Sequence, residues 1–444
     1  MSARSFCAIG SKCVNNKSNN AEITKNGTIN FRMKRVLMVG AGIGQIFLAR
    51  KIKARGHYLI TVTLPGNQPV IEIADKVCYE NVFNKEGVLA IAREEKVDAV
   101  ISDQNDMMMP TVAYVAEHMG LPGNSIQVVH DYCDKNAFRD NCDMVGIPVP
   151  KHCSVSEVEV PECMKDVPLP WVVKPADAQS SVGVEKVNTI DEYYMAIKTA
   201  IEVSKSHTAI VEEFFKGQEL VAEGFIYEGK YYNLGFADRK YFALEKLFIP
   251  SQTVFPSLVP QHVLDSIREC EEKMAALVKP QFAIVHSEYL YNADSGKYRV
   301  VESALRGGGV YISSHLVPAY SSIDINETLI DAMLGEKVDM DNVLAQRNNQ
   351  ASGYVCFYLP EGKVQKVKGL EEIKAMPSVM QTFLDDFVEG METHKLTHKG
   401  QRMGPILVKA ESREAIENEI SKIQNTLKAE IVSNDGVVKG IIWE

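Results

Sequence analysis

Val285–Tyr291 reads VHSEYLY and Arg299–Gly309 reads RVVESALRGGG, two apolar extended runs with the turn-like NADSGK between them, each run holding one carboxylate. Glu288 and Glu302 each lie seven positions from Ser295, so a hairpin folded about Ser295 sets the two acids opposite one another. Directly opposed residues of an antiparallel pair stand about 4.5 to 5.5 Å apart, and like charges so placed repel unless a cation offsets them. A divalent metal is the simplest such cation.

Glutamate is mostly solvent-exposed, and a hairpin with two wet glutamates would need no metal. Arg306, four residues after Glu302, supplies a fork suited to carboxylate or phosphate. Gly307–Gly309 then remove side chains where a backbone must approach a ligand. Acids, arginine and glycines together describe a phosphate–metal site.

The remaining composition is that of a globular enzyme. The chain has 444 residues, 45% hydrophobic and 24% charged, enough for two to four domains with their own cores. A net charge of −10 argues against nucleic acid, whose binding rests on clustered Lys and Arg. No stretch approaches the roughly 20 apolar residues of a membrane span. The nine cysteines form no CxxC pair, which suggests neither a disulfide framework nor a zinc site and fits a reducing, cytoplasmic setting. Residues 1–32 are rich in Ser, Asn and Lys without periodicity, the pattern of a disordered tail, and folded sequence is expected from Met33, which would also serve as a start codon.

From Met33, KRVLMVG, AGIG with a helix-like run, and YLITVTL form a strand, glycine turn, helix and strand of the doubly wound kind. Gln45 stands where a dinucleotide fingerprint needs its third glycine, and the second strand ends in Thr63, Leu64 and Pro65 without an acid for a ribose hydroxyl, so a nicotinamide site is not expected. Asp103 and Asp106 fall at the end of the strand VDAVISD, where they line an acceptor pocket or cap the next helix. Met107–Met109 read as core filler.

HDYCDKNAFRD places Lys135 in the first turn of a helix capped by Asp131 or Asp134, an unfavourable position for a cation that an anion such as phosphate would explain. Lys174 interrupts the strand of Trp171, Val172 and Val173, where lysine is rare without a partner. The small-residue loop Gln179–Val184 that follows has free amides fit to cradle phosphate oxygens. AIVEEFFKGQE then supplies Glu212, Glu213, an aromatic pair and Glu219, apolar walls and acids suited to a base and its ribose. Arg239 and Lys240 stand in order to meet a substrate carboxylate, or are plain surface charges. His286 shares a strand face with Glu288 and either touches the site or packs. His394 and His398 have helical spacing but no third ligand for zinc.

KP, SSVGV, VEEFFKGQE, HSEYLY and VVESALRGGG, in that succession, closely resemble the ATP-grasp superfamily of carboxylate–amine ligases over about Met33 to Val338. The residues after Ala351 resemble the small closing domain of the L-amino-acid ligase, biotin-carboxylase-like and carbamoyl-phosphate-synthase-like branch. The resemblance implies an α/β fold with a disordered tail (1–32), an N-terminal doubly wound parallel-sheet domain (33–128), a two-lobed ATP-grasp core (129–345, its lid about 150–213) and a small α+β C-terminal accessory domain (346–444).

It also implies roles. Lys135 and Lys174 would contact the phosphates of ATP, and Ser180, Ser181, Gly183 and Val184 would form the lid loop. Glu212, the backbone at Glu213 and Phe215, and Glu219 would hold adenosine. Glu288 and Glu302 would bind Mg²⁺ or Mn²⁺, and Arg306 would steady an acylphosphate. One position departs from the pattern: Ala304 replaces the asparagine common two residues after the second metal glutamate, so a second metal would be held more loosely or by substrate.

Three function classes follow from the resemblance. The first is a ligase joining a small-molecule carboxylate to an amine, possibly with the homodimeric assembly common among relatives. The second is a bicarbonate-activating carboxylase or carbamoyl-phosphate-type enzyme. The third is an ATP-binding protein without turnover. The first is preferred, because the tail is similar to amino-acid ligases and no lysine flanked by methionines marks a biotin carrier.

Overall fold

The computed structural model describes residues 13–15 (backbone), 33–178, 182–244 and 247–444. It divides into two compact units.

The first unit holds the described part of Met1–His130 with Pro280–Ala283 and Asn326–Val338. Its sheet runs β1 (Cys13–Asn15), β4 (Lys76–Tyr79), β3 (Tyr58–Thr63), β2 (Arg35–Val39), β5 (Ala99–Ile101). Strands β2 to β5 are parallel, and their near-continuous apolar runs are what a sheet covered on both faces requires. Leu37, Val39, Ile60, Val62 and Val100 form its core with Val88, Leu89 and Val112 from the flanking helices. The later segments return to this unit through particular bonds: Asn124 donates to Phe282 O and accepts from Gln281 N, and Arg55 pairs with Asp331.

Two expectations change here. Cys13–Asn15, within the stretch expected to be disordered, lies antiparallel to β4, because a sheet edge offers main-chain hydrogen bonds whatever the side chains; the rest of 1–32 lies outside the described residues. Neither Asp103 nor Asp106 supplies the cap of the following turn. Asn105 does, accepting from Met107 N, while Asp103 is buried. Gln45 crosses the glycine turn and donates to Asp103 O at 2.7 Å.

The second unit comprises Asp131–Lys279, Ile284–Ile325 and Asp339–Glu444. A four-stranded antiparallel sheet has the order β6 (His152–Val155), β9 (Ala209–Glu213), β7 (Trp171–Pro175), β8 (Glu185–Val187). An eight-stranded sheet has the order β14 (Lys297–Ala304), β13 (Phe282–Asn292), β10 (Gln218–Tyr227), β11 (Lys230–Tyr241), β12 (Pro250–Phe255), β15 (Ala351–Phe357), β19 (Met403–Ala410), β17 (Val379–Thr382). A third sheet is formed by β18 (Glu392–Thr393), β16 (Gly362–Lys368), β20 (Lys428–Val432) and β21 (Val438–Lys439). Because β15, β19 and β17 continue the large sheet, the division expected at residue 345 runs through one hydrogen-bonded layer.

The side chains of Cys153 and Cys163 are set against one another, with Cα atoms 6.6 Å apart, although the spacing of the cysteines suggested no disulfide framework. Among the described residues no helix is long and apolar enough to cross a membrane.

Candidate active site

In the hairpin β13–β14 Glu288 faces Glu302, as its sequence predicts, Ser287 faces Ser303 and His286 faces Ala304; a β-bulge between Glu288 and Tyr289 shifts the register on the turn side, where Tyr289 faces Val300. Alternation along a strand sends successive side chains to opposite faces, so the acids and His286 share one face. Ser287 and Ser303 meet on the other, their hydroxyls 2.8 Å apart. Behind them Tyr289 donates to Glu271 at 2.6 Å. The pairing of the two acids is thus held by a buried polar contact on the reverse of the sheet.

The cation beside this pair in the protein itself is Arg239, which sits opposite Glu219 on the neighbouring strands. Its Nη1 lies 2.6 Å from Glu219 Oε1 and also contacts Glu288. Arg239 is buried. Desolvation alone would lower its pKa, but Glu288 and Glu219 raise it well above the ordinary value. Burial would likewise raise Glu288, yet Arg239 and His286 hold it well below the usual carboxylate range. Glu219 goes the other way, raised by burial and by the charge on Glu288 in spite of Arg239 and the donating Tyr241 hydroxyl. Arg239 is therefore not a plain surface charge, one of the two readings its sequence position left open. It is a tie between two acids, while Lys240 next to it is exposed.

A second charged chain starts at the helix Lys135–Val145. Asp134 caps it, accepting from Asn136 N and Ala137 N. Lys135 reaches out to Ala178 O at 2.6 Å, and its own amide bonds Ala176 O. One turn on, Arg139 points inward to Glu212, 2.8 Å away, and to Val301 O at 2.7 Å. The other oxygen of Glu212 takes Lys174 at 2.6 Å. Burial would raise Glu212, but Arg139 and Lys174 bring it down to about 2. Its carboxylate thus joins Arg139 to Lys174. Arg139 was missed in the sequence; its one signal was standing four residues after Lys135 on the same helix.

Of the expected loop, Ser180 and Ser181 lie outside the described residues. Gly183 has φ +70°, and a Cβ there would come within 2.8 Å of the Pro175 ring, so only glycine fits the turn. Val184 is half-buried. At the expected base site, Glu213 N donates to Lys151 O and Phe214 N to Pro170 O. Phe214 lies under Lys186 at 4.1 Å and Phe215 under Arg299 at 5.1 Å.

Arg306 is half-buried, donating to Gly307 O at 3.0 Å. After the glycines, Val310 and Tyr311 both have positive φ, and a π-turn, Ile312–Leu316, follows; strained backbone of this kind collects at functional sites. Tyr311 stacks on Phe383 with centroids 4.0 Å apart. Lys399, also unforeseen, feels the same acids from the C-terminal segment. Desolvation together with Arg402 and Arg306 lowers its pKa, against Glu288 and Glu302.

The donors at the hairpin fit a hard divalent cation: two facing carboxylates, one of them kept ionised by its surroundings. Among the described residues no group of three or more His, Cys, Asp or Glu is placed to hold a metal. A Mg²⁺ ion is content with that, since it is usually held by one or two carboxylates with water and phosphate oxygens completing its octahedron.

Comparison with known proteins accounts for this layout. Residues 142–246 match the family model described as D-ala D-ala ligase C-terminus, and residues 355–432 that of L-amino acid ligase C-terminal domain 2. The L-amino acid ligase from Bacillus licheniformis superposes with a TM-score of 0.75 at 19% identity, covering 89% of this chain and 98% of that one. The alanine–anticapsin ligase of Bacillus subtilis is 23% identical over 288 residues, 59% of each protein. The carbamoyl phosphate synthase large chain of Methanocorpusculum labreanum is 25% identical over 208 residues, 42% of this chain and 20% of that protein. The chain thus spans about three-fifths of the first curated relative and a fifth of the second. Its fold is the ATP-grasp fold of the ligases it superposes on.

Proposed function

We propose that this protein is an ATP-dependent carboxylate–amine ligase that activates a carboxylate as an acylphosphate and joins it to an amine, with amino acids as the substrate class. The observation that carries the reading is the register of Glu288 against Glu302 on one face, four residues before Arg306, in the same compact unit as Lys135 and Lys174.

In this reading, Lys135 and Lys174 neutralise the phosphates of ATP, with Lys174 aimed by Glu212 and Arg139. Glu219 accepts from the ribose once the nucleotide competes with Arg239. Glu288 and Glu302 hold Mg²⁺, which when bound would offset charge spread over the transferring phosphoryl oxygens. The substrate carboxylate attacks the γ-phosphorus, breaking its bond to the β–γ bridging oxygen and releasing ADP. The amine then attacks the acyl carbon, Arg306 steadies the oxyanion, and phosphate leaves with the amide formed. The loop before Val184 would close over the intermediate and exclude water.

The likeness to carbamoyl phosphate synthase favours one second reading, bicarbonate in place of the organic acid. ADP release measured over amino acids singly and in pairs, small organic acids and bicarbonate separates the two. Release that needs an organic carboxylate and an amine supports the ligase, and release with bicarbonate alone supports the second reading. If Glu302→Gln released ADP at the wild-type rate with every carboxylate tested, both would fail.

A further inference from the structure

Glu223, on β10, is 0% exposed, and a carboxylate is almost never so placed without a partner. The partner is His286 Nδ1, in contact with Glu223 Oε1. This one contact fixes the ring, whichever partner carries the proton. The opposite edge of the ring then meets the site: Nε2 lies 3.3 Å from Glu288 Oε1 and 3.3 Å from Arg239 Nη2.

The surroundings leave the pair no room to turn. Gly308 presses on it; a Cβ there would fall 2.5 Å from Glu223 Oε1 and 2.9 Å from His286 Nδ1. The glycine run after Arg306 is therefore required, at this position, by the acid and imidazole beneath it. Glu223 Oε2 and Arg239 Nε are both buried without a hydrogen-bond partner. A plug for the sheet would be better made from two apolar side chains, since replacing buried ion pairs by packed hydrophobes is often neutral or stabilising. Something other than packing accounts for an incompletely satisfied acid and imidazole at this depth.

We infer that Glu223 and His286 are positioning residues which aim the Glu288 carboxylate at its metal and set the stop against which Arg239 rests. Glu223 orients the ring, and the Nε2 edge holds the same Glu288 oxygen that Arg239 Nη1 contacts. The arrangement follows the general rule that a metal-ligating carboxylate is held by outer hydrogen bonds whose loss weakens metal binding about 10- to 100-fold. The inference rests on the reading of Glu288 and Glu302 as metal ligands.

The test is Mn²⁺ binding to the full chain with ADP, followed by electron paramagnetic resonance, with no turnover involved. Glu223→Ala and His286→Asn are expected to weaken Mn²⁺ binding about 10- to 100-fold. His286→Gln, which carries an amide to the Nε2 position, should restore most of it, as should Glu223→Gln. ADP affinity without metal should stay within about twofold. Melting by circular dichroism identifies folded variants, and the His286→Asn and His286→Gln pair decides the matter if Glu223→Ala does not fold. Mn²⁺ affinity within twofold of wild type in the folded loss variants overturns the inference, as does affinity that merely follows melting temperature across all four. Glu288→Gln in the same titration separates the two levels: if it still binds Mn²⁺ normally, the metal reading itself has failed.

Discussion

Glu212 and Glu271 are equally hidden, each 3% exposed, and burial ends in opposite ways for them. Desolvation raises both. At Glu212 the charges of Arg139 and Lys174 overcome it and hold the carboxyl at about 2. At Glu271 the main partners are the hydroxyls of Tyr289 and Ser287, dipoles without full charge, and the carboxyl is pushed up to about 7. Glu212 is thus a buried acid matched by two cations. The row Glu219–Arg239–Glu288–Glu302 falls between these cases, with three acids and one arginine, and that imbalance is what a bound cation would correct.

The comparison can be broken most severely at Arg139. Arg139→Met leaves Glu212 with Lys174 alone and is expected to lower stability by about 3 to 5 kcal/mol, read by urea denaturation at pH 7. A loss under about 1 kcal/mol would mean that Lys174 suffices and that the lid side is over-supplied with cations.

The opposite pKa shifts predict opposite pH responses. Glu212, with its folded pKa below the ordinary value, contributes stability above about pH 4.5 that is lost as pH falls toward 2. Glu271, with its folded pKa raised, contributes stability below about pH 4.5 that is lost as pH rises through 7. Wild type should therefore lose roughly 2 to 3 kcal/mol relative to Glu271→Gln between pH 5 and pH 8. Parallel stability profiles for the two proteins would refute the assignment of Glu271.

Smaller effects sharpen the functional side of the contrast. Lys174→Met should raise KM for ATP about tenfold, near 1.4 kcal/mol, and leave the fold intact; an unchanged KM would remove Lys174 from the phosphates. Lys240→Ala should change kcat/KM by less than about twofold, because an exposed lone charge contributes little. A larger loss would return this residue to the substrate site.

Much of the site was legible because it is written in local patterns. That Glu288 and Glu302 share a hairpin was legible in the turn between two extended runs, although their facing depends on a β-bulge between Glu288 and Tyr289 that the pattern does not announce; the capping of the Lys135 helix by Asp134 follows from side-chain chemistry at a helix start. Arg239 was legible as a residue but not in its role: strand alternation does not reveal which acid two strands away it will meet. Glu223 and Lys399 carried no local signal at all, Arg139 only its place four residues after Lys135 on one helix, and the role of Glu212 in holding Lys174 was equally hidden.

By itself, the sequence determined the alternation of strands and helices, the place of the hairpin and the order of acids, lysines and glycines, all of which depend on neighbours a few residues apart. Only the tertiary structure decided which charges are shared. Arg239 between Glu219 and Glu288, Arg139 joining Glu212 to Val301, and His286 between Glu223 and Glu288 connect residues from 2 to 162 positions apart. Burial then makes those pairings strong, because an ionised group removed from water must take whatever opposite charge the fold brings within reach.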